Sequence, residues 1–316
     1  MTSPSPSPSS SSPLITSITL HPALTYLESL GSDKSRKTMR SSLNIAVRIL
    51  TKKKNSDIYD IQWHTLTYQE TAALQAALMR KYKPATAQRI MCAVKRTLKE
   101  AWRLKLMTLE AYTRAIDIPS IRIPENFPGR ALELEEIRAL IEACENDKNR
   151  VRGHRDRALI VLLRASGLRC AEISHLKTVH FEPKNSRLKV YKAKGGDSYY
   201  SYLPQSSIPP IEEWLDIRDR RPGALINPVR REGTIAHNKH LTESGIFQAI
   251  RKRCKQIELQ HFSPQDFRRT FCTDLIGKID DALLQKLMHH KSFSTTARYD
   301  RRKESVQAEA VQNIEF

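Results

Sequence analysis

Five residues of the chain could together cleave a phosphodiester without a metal ion: Arg169, Lys194, Arg268, His290 and Tyr299. Such cleavage needs a nucleophile, cations beside the non-bridging oxygens and a proton for the leaving oxygen. A tyrosine can attack phosphorus and become a covalent phosphotyrosine. Arginine can hold two phosphate oxygens in its planar fork, and a lysine among other cations can protonate the leaving alkoxide. These residue types predict transesterification with Tyr299 as the nucleophile.

Each of these residues carries little information by itself. A Gly-Leu-Arg tripeptide such as residues 167–169 is common, and a lysine beside glycine, such as Lys194, usually lies in a solvated hairpin. Arg268 next to Arg269 would alone indicate a surface pair, and a single tyrosine such as Tyr299 is more often packed and hydrogen-bonded. The joint occurrence of all of them in one order is therefore what indicates a reaction.

This order and these local motifs resemble the phage-integrase family of tyrosine recombinases, most strongly from Arg157 to Arg302. In that family an arginine in a Gly-Leu-Arg segment is followed three residues later by an acid, which matches Arg169 and Glu172. A lysine in a β-turn beside glycine matches Lys194. The family has a later histidine, which His290 matches, and a tyrosine nucleophile at a fixed interval after that histidine, which Tyr299 matches. His289 stands where the family usually has glycine.

The second family arginine lies in a His-x-x-Arg motif before Arg-Thr-Phe, and Arg268 matches it except at one position. Gln265 stands where the family has a histidine or, less often, a lysine. A glutamine amide can donate a hydrogen bond to a phosphate oxygen but cannot carry charge or transfer a proton. We expect activity to survive because the other five positions match. His261 is nearby, but nothing indicates that it substitutes, and Arg269 is expected to have a structural or phosphate-binding role.

The resemblance implies a mainly α fold with a small β-sheet (α+β), in which a helical, SAM-like core-binding domain precedes the catalytic domain. It implies that Tyr299 forms a 3′-phosphotyrosine and frees a 5′-hydroxyl, after which strand exchange passes through a Holliday junction. Lys194 would protonate the leaving 5′ oxygen. The phosphate oxygens would be held by the remaining site residues: Arg169, Arg268, His290 and Gln265.

Composition favours a polyanionic partner. The 316 residues suffice for two domains, the formal net charge is +19 and the sequence pI is about 9.8. An anionic membrane surface is the weaker alternative, because no apolar run approaches the roughly 20 residues of a spanning helix. No basic segment followed by an apolar one begins the chain, so we expect a cytoplasmic, nucleoid-associated protein that binds double-stranded DNA.

The five cysteines are scattered and form no C-x-x-C pair. Neither a zinc site nor a disulfide framework is expected from this spacing, and the chemistry outlined above requires no cofactor. The cysteines are interpreted as reduced thiols, most of them small core residues.

The pattern along the chain divides it into four segments. Residues 1–13 are almost entirely Ser and Pro and are expected to form a disordered tail. Residues 14–117 are expected to form the helical DNA-binding domain, with 18 Lys and Arg against 8 Asp and Glu. Residues 118–130 contain three prolines and no periodicity, which is typical of a linker. Residues 131–316 are expected to form the catalytic domain.

Hydrophobic periodicity predicts the elements that must carry the site. A buried helix is predicted around residues 157–163, ended by Gly167, and a hairpin is predicted around residues 188–203 with its turn at Gly195 and Gly196. The first domain shows helical stripes. Their apolar residues are Met39, Leu43, Val47 and Leu50, then Leu74 and Leu78, then Ile90, Val94, Leu98 and Trp102.

Several alternatives remain open at this point. A type IB topoisomerase uses much the same residues but religates the same strand, and Gln265 is compatible with a DNA-binding protein whose catalysis is weakened. For the recombinase, we expect a monomer or dimer in isolation and a homotetramer on DNA. Residues 303–316 carry a short apolar stripe that could dock on a neighbouring protomer or pack on its own domain. Integration, excision, dimer resolution and transposition are not distinguished.

Overall fold

The computed structural model describes residues 21–123, 129–192, 196–260 and 262–289. The Ser/Pro tail, the turn of the hairpin with Lys194, and the chain from His290 onward, including Tyr299, lie outside the described residues. The chain divides into two compact units between Asn126 and Phe127.

The first unit is helical in its described part, and its helices follow the predicted apolar stripes. Leu43 and Val47 are buried on α2, whereas Trp102 at the end of α4 is only half-buried. Helix α3 begins where Thr67 and Glu70 form a reciprocal capping box. The helices are α1 (Pro22–Glu28), α2 (Asp33–Thr51), α3 (Tyr68–Lys81), α4 (Pro84–Arg103) and α5 (Leu109–Ile116).

The second unit combines helices with one small antiparallel sheet of order β1-β2-β3. Its strands are β1 (Phe181–Glu182), β2 (Arg187–Lys192) and β3 (Gly196–Tyr202). Its helices are α6 (Leu134–Glu145), α7 (Arg150–Ser166), α8 (Cys170–Ser174), α9 (Ile208–Ile217), α10 (Glu243–Gln256), α11 (Pro264–Leu275) and α12 (Asp281–Leu287). The α+β class predicted from the sequence is confirmed, as are both strands of the hairpin.

Helix α7 is the central element of the second unit. Its residues Leu159, Ile160, Leu162 and Leu163 are buried, and helices α6, α9 and α11 pack against it. The helix ends at Gly167, whose φ of 61° is left-handed. Glycine adopts this conformation without a steric penalty, and a left-handed residue after the last turn is a common helix end. The predicted buried helix and its stop are therefore confirmed.

Both ends of the segment expected to be a linker make contacts within their own units. Ile118 and Ile121 belong to the hydrophobic core of the first unit, so the chain is still packed there. At the other end, the backbone N–H of Arg130 donates to Asp266 in the second unit's helix α11. Prolines remove periodicity but do not prevent packing, so the sequence pattern does not reveal these contacts.

None of the helices in the described part of the chain is both long and apolar enough to cross a bilayer.

Candidate active site

The turn between α7 and α8 carries Arg169. This residue caps α8, and its backbone N–H donates to Glu172 Oε2 at 2.7 Å. Its guanidinium Nη1 also contacts Glu172 Oε1, at 3.0 Å, while 43% of the side chain remains exposed. The acid three residues after the arginine therefore fixes both the backbone and the side chain of Arg169, and leaves the side chain accessible from solvent.

Gly167 permits this turn to lie against helix α11. A Cβ atom at Gly167 would lie 2.6 Å from the ring of Phe271, in addition to requiring a positive φ. Real Cβ atoms do not approach a ring so closely, so a side chain at this position would force the Phe271 ring or α11 to shift. The glycine of the Gly-Leu-Arg segment thus has a packing role as well as a conformational one.

Arg268 is buried in the second unit, with 2% of its surface exposed. One terminal nitrogen of its guanidinium donates to the carbonyl of Gly167, and the other donates to the carbonyl of Met288. A buried charge is tolerated when hydrogen bonds replace its hydration. Arg268 therefore joins α11 to the turn before Arg169 and to the end of α12, a structural role that the sequence did not reveal.

Asp266 holds the first turn of α11 in place. Its carboxylate accepts hydrogen bonds from the Ser263 backbone N–H at 2.8 Å and from the Ser263 hydroxyl at 2.9 Å. It also accepts from the Arg130 N–H at 3.1 Å and pairs with Arg269 Nε at 3.1 Å. This ion pair supports the expected structural role of Arg269, because its side chain is committed to the frame of α11.

Gln265 lies in the first turn of α11, half-buried, three residues before Arg268. Residues three apart on a helix are neighbours on its surface, so Gln265 and Arg268 share one side of α11. The structure therefore brings Arg169, Arg268 and Gln265 to one region, because Arg268 binds the turn that carries Arg169. Lys194, His290 and Tyr299 are outside the described residues, so their roles remain predictions, and His261 is also outside.

The sequence reasoning missed Tyr199. Its ring lies against the ring of His289, with centroids 3.5 Å apart and planes inclined by 37°. Burial and the nearby carboxylate of Glu172 raise the pKa of Tyr199, while the charges of Arg268 and Arg169 oppose the shift. Strand alternation could have indicated that Tyr199 faces the interior. Tyr199 pairs with Val190, which is buried, and paired residues of neighbouring strands lie on the same face of the sheet.

A buried ionic cluster lies within the second unit. Arg253 of α10 is fully buried, and its Nη2 contacts Asp147 Oδ2 at 2.5 Å and Asp156 Oδ2 at 2.6 Å. Burial opposes the ionisation of Asp147, but hydrogen bonds from Arg152, from the Asn149 backbone and from Arg253 outweigh it. The pKa of Asp147 is therefore held below its usual range. The cluster connects α10 to the start of α7.

Among the residues that the structure describes, no group of three or more His, Cys, Asp or Glu side chains is arranged to hold a metal ion.

The phage integrase family model matches residues 130–305, more than half of the chain, and the protein belongs to this family. Tyrosine recombinase XerA of Pyrococcus furiosus is 28% identical over 181 residues, which is 57% of this chain and 59% of that protein. Tyrosine recombinase XerC of Alcanivorax borkumensis is 26% identical over 243 residues, or 75% of this chain and 76% of that protein. The chain thus spans about three fifths to three quarters of these relatives.

The fold is also that of a solved integrase. The structure of the Tn1549 transposon integrase in complex with transposon right end DNA has a TM-score of 0.66 and 15% identity to this protein. The similarity covers 93% of this chain and 98% of that chain. It supports the two-part architecture predicted from the sequence at the level of fold.

Proposed function

We propose that this protein is a site-specific recombinase that cuts and rejoins double-stranded DNA, with Tyr299 as the nucleophile. The observation that carries the proposal is the convergence of family positions around Arg268. Its guanidinium binds the carbonyl of Gly167, two residues before Arg169, and that of Met288, two residues before His290. A side chain that ties these two segments together supports one phosphate-binding site built from both.

The proposed reaction is a pair of transesterifications. The phenol oxygen of Tyr299 attacks phosphorus, a phosphorus–tyrosine oxygen bond forms, and the bond from phosphorus to the 5′ oxygen breaks. The phenol gives its proton to water, and Lys194 gives a proton to the leaving 5′ oxygen. The phosphodiester energy is retained in the 3′-phosphotyrosine, so no nucleotide cofactor is consumed. A 5′-hydroxyl of the partner duplex then reverses the step and forms a Holliday junction.

The remaining polar side chains are assigned to the phosphate. Arg169 is oriented by Glu172 and accessible, which suits a residue that must meet a phosphate oxygen. Arg268, buried against the turn that carries Arg169, supplies a second positive charge. Gln265, on the same side of α11, would add a neutral hydrogen bond in the place of the usual histidine. Stabilisation by arginines of charge that develops on phosphate oxygens is the largest contribution in such reactions.

DNA as the partner is supported by the net charge of +19 and by relatives named as recombinases. A solved protein of the same fold is in complex with transposon end DNA. We propose that the two units bind one recombination site and that four protomers assemble when two sites are paired.

A trapped covalent complex tests the proposal. Inverted repeats in the DNA flanking the gene supply candidate sites, and a nick one nucleotide from the cleavage position lets the short 5′-hydroxyl fragment diffuse away. Wild-type protein should accumulate a denaturant-resistant complex with DNA, and Tyr299→Phe, which lacks only the nucleophilic oxygen, should accumulate none. Equal amounts of complex in both proteins would exclude Tyr299 as the nucleophile.

A DNA-binding protein with weakened catalysis is the second candidate, and Gln265 is the observation that favours it. If wild-type protein binds the site but does not cleave it, while Gln265→His cleaves it, the protein is a DNA-binding protein with weakened catalysis. If wild type cleaves, two duplexes with different labels decide between recombination and topoisomerase-like religation. Recombinant products require exchange between duplexes, whereas religation of the same strand leaves both labels in place.

A further inference from the structure

The contact between Tyr199 and His289 is the feature of the site that the proposed roles do not explain. Tyr199 belongs to strand β3 and His289 follows helix α12, so the two rings join the sheet to the end of that helix. The centroid distance of 3.5 Å is short for a pair of rings, which commonly lie 4.5–7 Å apart. The contact is therefore close, and it lies directly before residue 290.

His289 needs support because of its backbone. Its φ is 48°, in the left-handed region, which a residue with a Cβ enters at a cost of about 1–2 kcal/mol. Its backbone N–H donates to the carbonyl of Lys286 at 3.0 Å, so this residue closes the last turn of α12. Glycine is the usual residue at such a helix end. Histidine enters this region more readily than most residues with a Cβ, and contacts that hold it there reduce the remaining cost.

Tyr199 is well placed to provide that contact. Its neighbour in the sheet, Val190, is buried, and its own hydroxyl oxygen is buried. The ring therefore lies on the interior face of the sheet, where it meets His289. Because Glu172 lies beside Tyr199, the same ring also borders the carboxylate that orients Arg169.

We propose that Tyr199 is a positioning residue for the cleavage reaction. Its ring packs on His289 and thereby holds the left-handed turn after α12, directly before residue 290 in the sequence. The inference rests on the proposed recombinase function, since it assigns Tyr199 to the cleavage step for which His290 is proposed. Arg268 fixes the preceding carbonyl of Met288, so Tyr199 and Arg268 hold the two sides of the same turn.

Four variants of the full-length protein test this role. Tyr199→Leu removes the ring, and Tyr199→Phe keeps the ring but removes the hydroxyl beside Glu172. Tyr200→Leu is the matched control, because Tyr200 lies on the opposite face of the same strand, under the guanidinium of Arg187. His289→Gly in the Tyr199→Leu background removes the other half of the contact together with the backbone strain.

Two measurements are made on each variant. The first is the rate of covalent complex formation on the nicked site at saturating DNA, with the DNA dissociation constant measured separately. We expect Tyr199→Leu to be about ten- to a hundredfold slower, the effect of a small misplacement of catalytic groups, with DNA affinity unchanged. Tyr199→Phe and Tyr200→Leu should stay within about twofold of wild type. The double variant should be no slower than Tyr199→Leu, because the ring that contacts His289 is already absent in that background.

The second measurement is amide hydrogen exchange over residues 284–289, which does not depend on cleavage. The His289 amide should exchange about tenfold faster in Tyr199→Leu and at the wild-type rate in Tyr200→Leu. Unchanged exchange, or a cleavage rate equal to that of Tyr200→Leu, overturns the positioning role. If wild type forms no covalent complex, the proposed function fails by itself, and the exchange data still decide whether Tyr199 holds the turn.

Discussion

Replacement of Arg268 by lysine separates the two roles that the structure and the family resemblance give to this residue. The arginine side chain donates to the carbonyls of Gly167 and Met288, which lie on different elements. A lysine keeps the positive charge, but its single ammonium group cannot reproduce the planar fork that reaches both carbonyls. One buried carbonyl therefore loses its hydrogen bond in Arg268→Lys.

The expected magnitudes follow from that lost hydrogen bond. A buried acceptor left without a partner costs about 1–3 kcal/mol. For a unit of this size, about 2 kcal/mol lowers Tm by roughly 4–8 °C. The reaction should suffer more, because removal of one group that stabilises the transition state lowers kcat by about a hundred- to a thousandfold.

Two assays check this prediction. Thermal unfolding reports the change in Tm, and the covalent-complex assay at saturating DNA reports the change in rate. Arg269→Lys is the matched control, because Arg269 is the adjacent arginine on α11 but pairs with Asp266. This control should keep a cleavage rate within about threefold of wild type.

A slow Arg268→Lys protein with an unchanged Tm would show that the two carbonyl contacts contribute no stability. A lowered Tm with a normal cleavage rate would remove Arg268 from the phosphate-binding site. Either result contradicts the prediction that the Arg268 side chain both stabilises the fold and binds the phosphate.

Three further predictions concern packing, pH and salt. Gly167→Ala should destabilise the second unit by about 2–4 kcal/mol in urea unfolding, because it combines a left-handed backbone with a collision with Phe271. Gly223→Ala, which also has a positive φ but meets only ordinary van der Waals contacts at 3.7 Å and 3.9 Å, should lose less. Asp147→Asn should lose about 3 kcal/mol at pH 7, since it removes one partner of the buried Arg253. Because the folded pKa of Asp147 is lowered, its contribution is complete above the usual carboxyl pKa of about 3.9 and disappears as pH falls further. The Asn variant should therefore show a shallower loss of stability than wild type as pH falls below about 4, and equal slopes there would contradict the assignment. Finally, DNA affinity should fall by about a thousandfold between 50 and 200 mM salt, as expected if six or more phosphates are contacted, and a slope near zero would contradict backbone binding.

The sequence predicted those parts of the fold that depend on short-range patterns. Helix α7 and its stop at Gly167 follow from a run of apolar residues and one glycine. The pairing of Arg169 with Glu172 is local too, because three residues separate them on one short helix. Family order then assigned roles to positions such as Arg268, although it did not indicate what that side chain contacts.

Contacts between positions far apart in the chain could not be predicted from the sequence. Arg268 meets the carbonyl of Gly167 across 101 positions, and no periodicity signals such an encounter. The sequence predicts Tyr199 only as part of a hairpin, because the face of the sheet on which its side chain lies depends on the register with Val190. The sequence predicts a linker around Ile121 because three nearby prolines remove the periodicity. The packing of Ile121 in the core of the first unit therefore leaves no sign in the sequence.

The ionic cluster around Arg253 has a consequence for synthesis of the chain. Arg253 reaches back 97 positions to Asp156 and 106 positions to Asp147. While the ribosome is still translating the sheet, Arg152 and Arg155 can already pair with Asp147 and Asp156, but the buried guanidinium of Arg253 that joins the two carboxylates is still missing. The hairpin of α6 and α7 therefore cannot complete its interior until α10 leaves the exit tunnel, at roughly 5–20 residues per second. The second unit should accordingly become resistant to protease late in translation and in a single step.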